Sequence, residues 1–141
     1  MSRTPSSPVS ESRFSHPLET LQQLAQDVLA HAKNLGASDC EVDVSEGFRQ
    51  SVTVRCDEVE TIEYNRDKGI GITVYLGKQK GHASTSDFSA SALRETVEAA
   101  LNIARFTAPD PCAGLPDVEL LATREQAFAD LDLYHPWTLS V

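Results

Sequence analysis

The side chains best suited to bind a metal, four histidines and three cysteines, are widely spaced along this sequence. They are His16, His31, His82, His135, Cys40, Cys56 and Cys112. No HExxH, HxH or CxxC pair occurs among them, whereas zinc binds three or four ligands that converge to about 2.0–2.3 Å from the ion. We therefore predict no metal site in the chain. We interpret His31 as a neighbour of a buried helix face and the cysteines as small core residues.

Hydroxyl groups are concentrated between one histidine and one aspartate. Ser84, Thr85 and Ser86 lie between His82 and Asp87, so the residue types of a hydrolase triad are present. A triad also needs an ordered base and an oxyanion hole, and no GxSxG segment supports one. We interpret these residues as the hydroxyl-rich surface of a strand and turn, and we predict no catalytic residue.

Two glycines separated by one residue are reminiscent of a phosphate-binding loop. Gly69 and Gly71 lack the third glycine of the dinucleotide fingerprint, and they open a strand rather than a helix. We expect them to permit a turn or to relieve crowding. Gly71 would also leave strand backbone open to the close approach of another chain.

Charge is distributed unevenly in the middle of the sequence. Residues 39–67 hold nine acids against three arginines, and we predict that Lys68, Lys78 and Lys80 cluster around the hairpin between the last two strands. A solvated sheet face explains both groups. The alternative is a peptide or partner groove that is acidic on one side and basic on the other.

Two helices and a sheet must position these side chains. Apolar residues recur at three- and four-residue steps from Leu18 to Leu35, which predicts a helix that begins after Pro17 and is stopped by Gly36. A second helix is predicted from about residue 90 to 106, with Ser89 as its N-cap.

Between the helices, residues 39–86 alternate in polarity with a period of two, which predicts strands. Turn residues interrupt the alternation at 46–47, 56–58, 67–69 and 77–81. Strict alternation fails between Val59 and Tyr64, which predicts a β-bulge or a bend there. The predicted fold is α+β, with two helices packed on one face of a four- to five-stranded, mainly antiparallel sheet and an extended C-terminal tail.

The chain divides into three predicted segments. Residues 1–16 form a disordered Ser/Pro-rich leader, residues 17–107 form the α+β domain, and residues 108–141 form an extended segment that leads into a missing C-terminal domain. We expect the chain to be truncated, because Trp137 and Leu139 have little following sequence to pack against.

Composition excludes several classes of function. The formal net charge of −9 over 141 residues disfavours general affinity for nucleic acid, whose phosphates attract clustered Lys and Arg. No apolar run approaches the roughly 20 residues of a membrane-spanning helix. Three cysteines without close spacing or a signal peptide predict a reducing, cytoplasmic location.

Six segments carry a further signal when they are compared together with known families. They are LGASD (35–39), NRDKGIGITVY (65–75), KGHASTSDFS (80–89), VEAALNIARFT (97–107), DPCAGL (110–115) and DLYHPW (132–137). From about Leu18 to Val141 the chain resembles the N-terminal region of the TldD/PmbA metalloprotease family. DPCAGL and YHPW resemble the PmbA branch, also called TldE.

The resemblance implies a cytoplasmic zinc protease in which a PmbA subunit pairs with a TldD-like subunit as a heterodimer. In that family the pair processes small, largely unfolded polypeptides. The zinc-binding HExxxH helix lies in the later portion of TldD, and PmbA-type subunits lack it. Zinc is therefore implied for the partner subunit or the missing region, and no catalytic or metal residue carries over to this chain.

The function implied for this chain is that of a non-catalytic N-terminal domain that contributes to heterodimer assembly and peptide access. An exposed strand edge within residues 69–87 would pair with an extended peptide, with Lys78, Lys80 and His82 as candidate contacts. Two alternatives remain open. The chain could be part of an active metallopeptidase whose zinc site lies beyond residue 141, or a regulatory binding protein that modulates DNA gyrase or a toxin–antitoxin system.

Overall fold

Two helices and one antiparallel sheet form the fold in the computed structural model. The structure describes residues 14–123 together with Gln126, Leu133 and Val141. The elements are α1 (Leu18–Asn34), β1 (Asp39–Arg55), β2 (Glu58–Leu76), β3 (Gln79–Thr85), α2 (Ala90–Phe106) and a 3₁₀ turn (Val118–Leu120). The sheet order is β1-β2-β3, so β1 and β3 are its edge strands among the described residues. The predicted α+β class is confirmed.

The prediction of four to five strands is wrong, because the described residues form three long strands. β1 and β2 continue through two of the predicted turns, at residues 46–47 and 67–69. The two supposed turns lie opposite each other in the ladder, with Glu46 beside Lys68 and Gly47 beside Asp67. Both positions keep their cross-strand pairing, so the ladder continues where the local composition favours a turn.

α1 ends and α2 begins at the residues that the sequence predicts. Gly36 has φ +91° and follows α1, where its N–H donates to the carbonyl of Lys33 and the N–H of Ala37 donates to the carbonyl of Ala32. This is the Schellman arrangement, and glycine adopts the left-handed backbone conformation that it requires at little cost. The hydroxyl of Ser89 accepts the N–H of Ala92 at 3.4 Å and caps α2.

The core lies between one face of the sheet and the two helices. Its buried residues are Val28, Ala32, Ile70, Ile72, Val74, Leu93, Val97, Ala100 and Leu101. Gly81 permits the closest helix–sheet contact, since a Cβ at this position would overlap backbone atoms of Ala100 and Ala104. β3 therefore lies directly against α2, and only glycine fits there.

Beyond the helices, β1 and β2 continue as a two-stranded arm, which we define as residues 47–67. Its turn is Cys56-Asp57, where both residues have positive φ (52° and 64°), as a two-residue type I′ hairpin requires. The predicted bulge is confirmed. The register shifts so that Val54 pairs with Val59 while Thr53 pairs with Thr61.

After α2, residues 107–117 form an irregular loop that is held against the β2–β3 turn. Lys78 Nζ donates to the carbonyl of Ala113 at 2.9 Å, and the amide of Gln79 donates to the carbonyl of Thr107 at 2.7 Å. Predictions for residues 1–13 and for the tail around Trp137 lie outside the described residues. Within the described part of the chain, no helix is both long and apolar enough to cross a membrane.

Candidate functional site

The face of the sheet opposite the helices carries polar side chains in cross-strand rows. Directly paired residues of antiparallel strands point to the same face, so the register defines these rows. The rows are Asp39–Tyr75–Lys80, Glu41–Thr73–His82 and Asp43–Gly71–Ser84. The last two rows line a shallow cavity of about 740 Å³, which we call the polar trough, and the first row is not part of its lining.

The two sides of the polar trough differ in charge. β1 contributes the carboxylates of Glu41 and Asp43, and β3 contributes the imidazole of His82 and the hydroxyl of Ser84. Neighbouring strands are about 4.8 Å apart, so the two sides are separated by roughly 10 Å. That width accommodates an extended chain lying along the strands. The glycines at positions 69 and 71 keep the floor between the two sides low.

Two contacts fix the orientation of the His82 side chain in the trough. Its Nδ1 lies 3.1 Å from the hydroxyl of Thr73, in the same row. Its ring also lies over Gly71, where a Cβ would come within 3.3 Å of His82 Cε1. The hydrogen bond and the missing Cβ together orient the imidazole and leave Nε2 as the ring atom available to a ligand.

The three predicted lysines lie in three different places. Lys80 is exposed on the open face, in the row beyond His82. Lys78 lies in the β2–β3 turn and holds the loop after α2 through Ala113. Lys68 lies near the arm, with its Nζ 4.9 Å from the ring centre of Phe88, and so does not join the predicted cluster.

The hydroxyl-rich segment after His82 is used to begin α2. The N–H of Asp87 donates to Thr85 Oγ1 at 3.1 Å, and the N–H of Ser89 donates to Asp87 Oδ1 at 2.8 Å. The Ser89 N–H holds the pKa of Asp87 below its usual range. Asp87 thus bonds to Ser89 and His82 to Thr73, and neither bonds to a serine hydroxyl between them. Residues 82–87 accordingly form the end of β3 and the turn before α2.

The cysteines differ from one another in burial. Cys40 is half-buried and packs against the core, and burial raises the pKa of its thiol, with the Glu41 carboxylate adding to the effect. Cys56 and Cys112 are exposed. The prediction that all three are core residues is therefore wrong for these two, because each lies in a turn or loop that the helices do not cover.

Tyr75 lies on the same face of the sheet as the polar trough but outside its lining, and nothing in the sequence pattern singled it out. It is only 7% exposed although its face is polar, and burial raises the pKa of its phenol, with Glu41 and Asp39 adding to the effect. The alternation along β2 directs the Tyr75 side chain to the face of the sheet that lies away from the core. The signal that could have identified it is the register with Asp39, which a strand pattern alone does not provide.

The backbone of β3 forms an open edge beside the trough. Leu76 and Gln79 flank a two-residue turn and are therefore a hydrogen-bonded pair. By alternation, Lys80, His82 and Ser84 direct their backbone N–H and carbonyl groups away from β2. Within the described residues no strand pairs with these groups, so the face that bears the polar trough adjoins an edge able to accept another strand.

Metal ligands do not converge within the described residues. No group of three or more His, Cys, Asp or Glu side chains there is arranged to hold an ion. The described side chains therefore do not fit a zinc site, and we derive no metal-dependent step for them.

Sequence comparison relates the chain to metalloproteases. Residues 40–104 match the family model described as PmbA/TldA metallopeptidase domain 1. The chain is 46% identical over 126 residues to "Metalloprotease PmbA" of Escherichia coli O157:H7, covering 87% of this chain and 27% of that protein. It is 44% identical to "Metalloprotease PmbA homolog" of Haemophilus influenzae, covering 87% of this chain and 26% of that protein.

Structural comparison shows the same fold in a solved protein. TldE from Thermococcus kodakarensis superposes with a TM-score of 0.60 at 17% identity, covering 67% of this chain and 21% of that chain. The chain thus spans about a quarter of the length of the curated relatives it matches.

Proposed function

The chain belongs to the PmbA/TldD metallopeptidase family through its first domain, and from that premise we propose that it is a non-catalytic N-terminal domain of a PmbA/TldE-like subunit. In this role it admits unfolded peptide to a zinc metalloprotease and contributes to assembly with a TldD-like subunit in the cytoplasm. The zinc belongs to the partner subunit or to a part of the protein outside this chain. The observation that carries the proposal is the open β3 edge beside the polar trough.

Backbone geometry supports the recognition of an extended chain. A peptide strand added beside β3 would pair with the outward N–H and carbonyl groups of Lys80, His82 and Ser84. Main-chain hydrogen bonds of this kind bind peptides with little regard to sequence. Such tolerance suits a protein that handles unfolded polypeptides.

Side chains beside the edge supply a secondary preference. Lys80 and His82 lie next to the position of the added strand, whereas Glu41 and Asp43 lie across the trough. An acidic group on the peptide would therefore be favoured near β3 and disfavoured near β1. Lys78 contributes indirectly in this proposal, because its ammonium holds the loop after α2 at the end of the edge.

Replacement of one edge residue tests peptide binding. Ser84→Pro removes an outward N–H that makes no bond to β2, so the sheet should remain folded. We expect this variant to weaken the binding of a fluorescein-labelled, unstructured peptide about tenfold or more in fluorescence anisotropy.

The matched control for this experiment is Ser84→Ala, which keeps the backbone N–H and removes only the hydroxyl. We expect binding within about twofold of the unmodified chain for the control. Equal binding by the proline variant and the unmodified chain, with both folded by circular dichroism, would refute recognition at the β3 edge.

Assembly is tested separately by mixing the protein with a TldD-like metallopeptidase subunit. Native mass spectrometry should give a one-to-one complex, and metal analysis should find zinc only in preparations that contain the partner. Peptide hydrolysis by the protein alone, abolished by a chelator, would favour the alternative of an active metallopeptidase.

A further inference from the structure

A cleft between the two helices combines an apolar floor with polar walls. Its volume is about 380 Å³, within the roughly 300–1,000 Å³ that is usual for small-molecule sites. The floor is apolar because it reaches the core residues Val28, Leu93 and Val97, which are at most 6% exposed. The polar side chains of the lining are Asp27, His31, Asn34 and Arg94. A cleft of this composition accommodates a small molecule that has both an apolar and a polar part.

Opposite charges lie on the two walls of the cleft. Asp27 belongs to α1 and Arg94 to α2, and no ion pair joins them among the described residues. Asp27 accepts an N–H from Gln23 through Oδ1, and Arg94 donates its Nε–H to the carbonyl of Ala90. The second carboxylate oxygen and the terminal amino groups of the guanidinium therefore remain able to bind a ligand in the cleft.

His31 adds a polar atom to the α1 wall, one helical turn after Asp27. Its Nε2 is buried and has no hydrogen-bond partner among the described residues. A buried polar atom without a partner is destabilising, and such atoms are rare in folded proteins. Because the imidazole lines the cleft, rotation about a single side-chain bond turns Nε2 towards a ligand, which then supplies the missing hydrogen bond.

We propose that this cleft binds a small zwitterion with an apolar side chain, the chemical class to which the hydrophobic amino acids belong. The ammonium group of the ligand bonds to Asp27 and to Nε2 of His31, its carboxylate bonds to Arg94, and its side chain covers the apolar floor. The proposal goes beyond the proposed function, because the cleft lies in the helical layer, on the other side of the sheet from the polar trough.

Occupants with fewer charges fit the cleft less well. A purely apolar molecule would cover the floor, but it would also take water away from Asp27, Arg94 and the His31 ring without giving them a partner. An anion pairs with Arg94 and is repelled by Asp27, whereas a cation pairs with Asp27 and is repelled by Arg94. A molecule that carries both charges beside an apolar group satisfies both walls and the floor.

The first test follows the ring resonances of His31 by NMR while L-phenylalanine is added to the purified protein. We expect these resonances to shift with a Kd in the millimolar range or below. Phenylalanine amide lacks the carboxylate and N-acetylphenylalanine lacks the ammonium group, so each should bind about fivefold or more weakly. Equal binding of the three compounds would overturn the proposal. So would the absence of a shift, which is the result expected if a protein segment from outside this chain fills the cleft.

The second test assigns each charge of the ligand to one wall. Arg94→Gln should weaken the binding of phenylalanine about fivefold or more and change that of phenylalanine amide by less than about twofold, because the amide has no carboxylate to pair. Asp27→Asn should likewise weaken phenylalanine and leave N-acetylphenylalanine unchanged, because the acetylated compound has no ammonium group.

The matched control is Arg105→Gln, which makes the same change on α2 outside the cleft and should bind phenylalanine as the unmodified chain does. All three substituted residues are exposed, so circular dichroism should show that the variants remain folded. Equal weakening by Arg94→Gln and Arg105→Gln, or an equal loss for phenylalanine and its amide in Arg94→Gln, would overturn the proposal. None of these results bears on peptide binding at β3, so the two proposals fail independently.

Discussion

Glu46 shows how one residue on the helix face of the sheet anchors the segment before α1. Its carboxylate accepts the backbone N–H of Ser15 at 2.7 Å and that of His16 at 3.1 Å. The His16 ring adds a contact between Nδ1 and the second carboxylate oxygen at 3.0 Å. These hydrogen bonds, that from the Ser15 backbone foremost, lower the pKa of Glu46 to about 2.

Stability should therefore depend on the ionisation of Glu46. A carboxyl whose pKa is lower in the folded protein than its ordinary value of 4.5 contributes stability above that value, and the contribution is lost as pH falls towards 2. We expect Glu46→Gln to lower the free energy of unfolding at pH 7 and to differ little from the unmodified chain near pH 2. Urea denaturation at a series of pH values measures this, and a difference that is constant with pH would contradict it.

At the scale of elements, two glycines on neighbouring strands have opposite environments. A Cβ at Gly81 would overlap backbone atoms of α2 and approach Ile103 Cβ to 3.0 Å, whereas a Cβ at Gly71 would meet only the side chain of His82. Backbone of a packed helix cannot shift without disturbing the core, but an exposed imidazole can rotate.

Alanine at these two positions should therefore have very different effects. We expect Gly81→Ala to destabilise the fold by about 3 kcal/mol, the upper range for overpacking, and Gly71→Ala to change stability by less than about 1 kcal/mol. Thermal and urea unfolding compare the two. Gly71→Ala should instead shift the His82 ring resonances in an NMR spectrum, and similar stability losses in both variants would contradict the assigned packing of β3 on α2.

Considered as a whole, the molecule combines a packed body with a less protected arm. Ile72 and Val74 are fully buried between the sheet and both helices, whereas every residue from 51 to 64 is exposed. Local opening free energies follow the burial and packing of the surrounding chain. The body and the arm should thus open in separate steps.

Hydrogen exchange can separate the two parts. The amides of the buried half of β2 should exchange near the free energy of global unfolding. Those near the arm turn should exchange with about 2 kcal/mol or less of protection. Uniform protection of the arm and the body would contradict this division.

Much of the local structure follows from the sequence because it depends on neighbours along the chain. The spacing of apolar residues predicts both helices. Gly36 and Ser89 predict where α1 ends and α2 begins, and the broken alternation after residue 58 predicts the bulge. The resemblance of short segments to a known family can likewise be seen in the sequence, because it depends only on which residues occur and in what order.

Tertiary structure alone decided how the strands and the site are composed. Glu46-Gly47 has the composition of a turn but lies within a continuous strand, where it pairs with Lys68 and Asp67. Pairing within the sheet brings Glu41 into one row with Thr73 and His82, and it leaves the arm outside the helical layer. Composition and periodicity describe each segment by itself, whereas register and helix coverage depend on which distant segment packs against it.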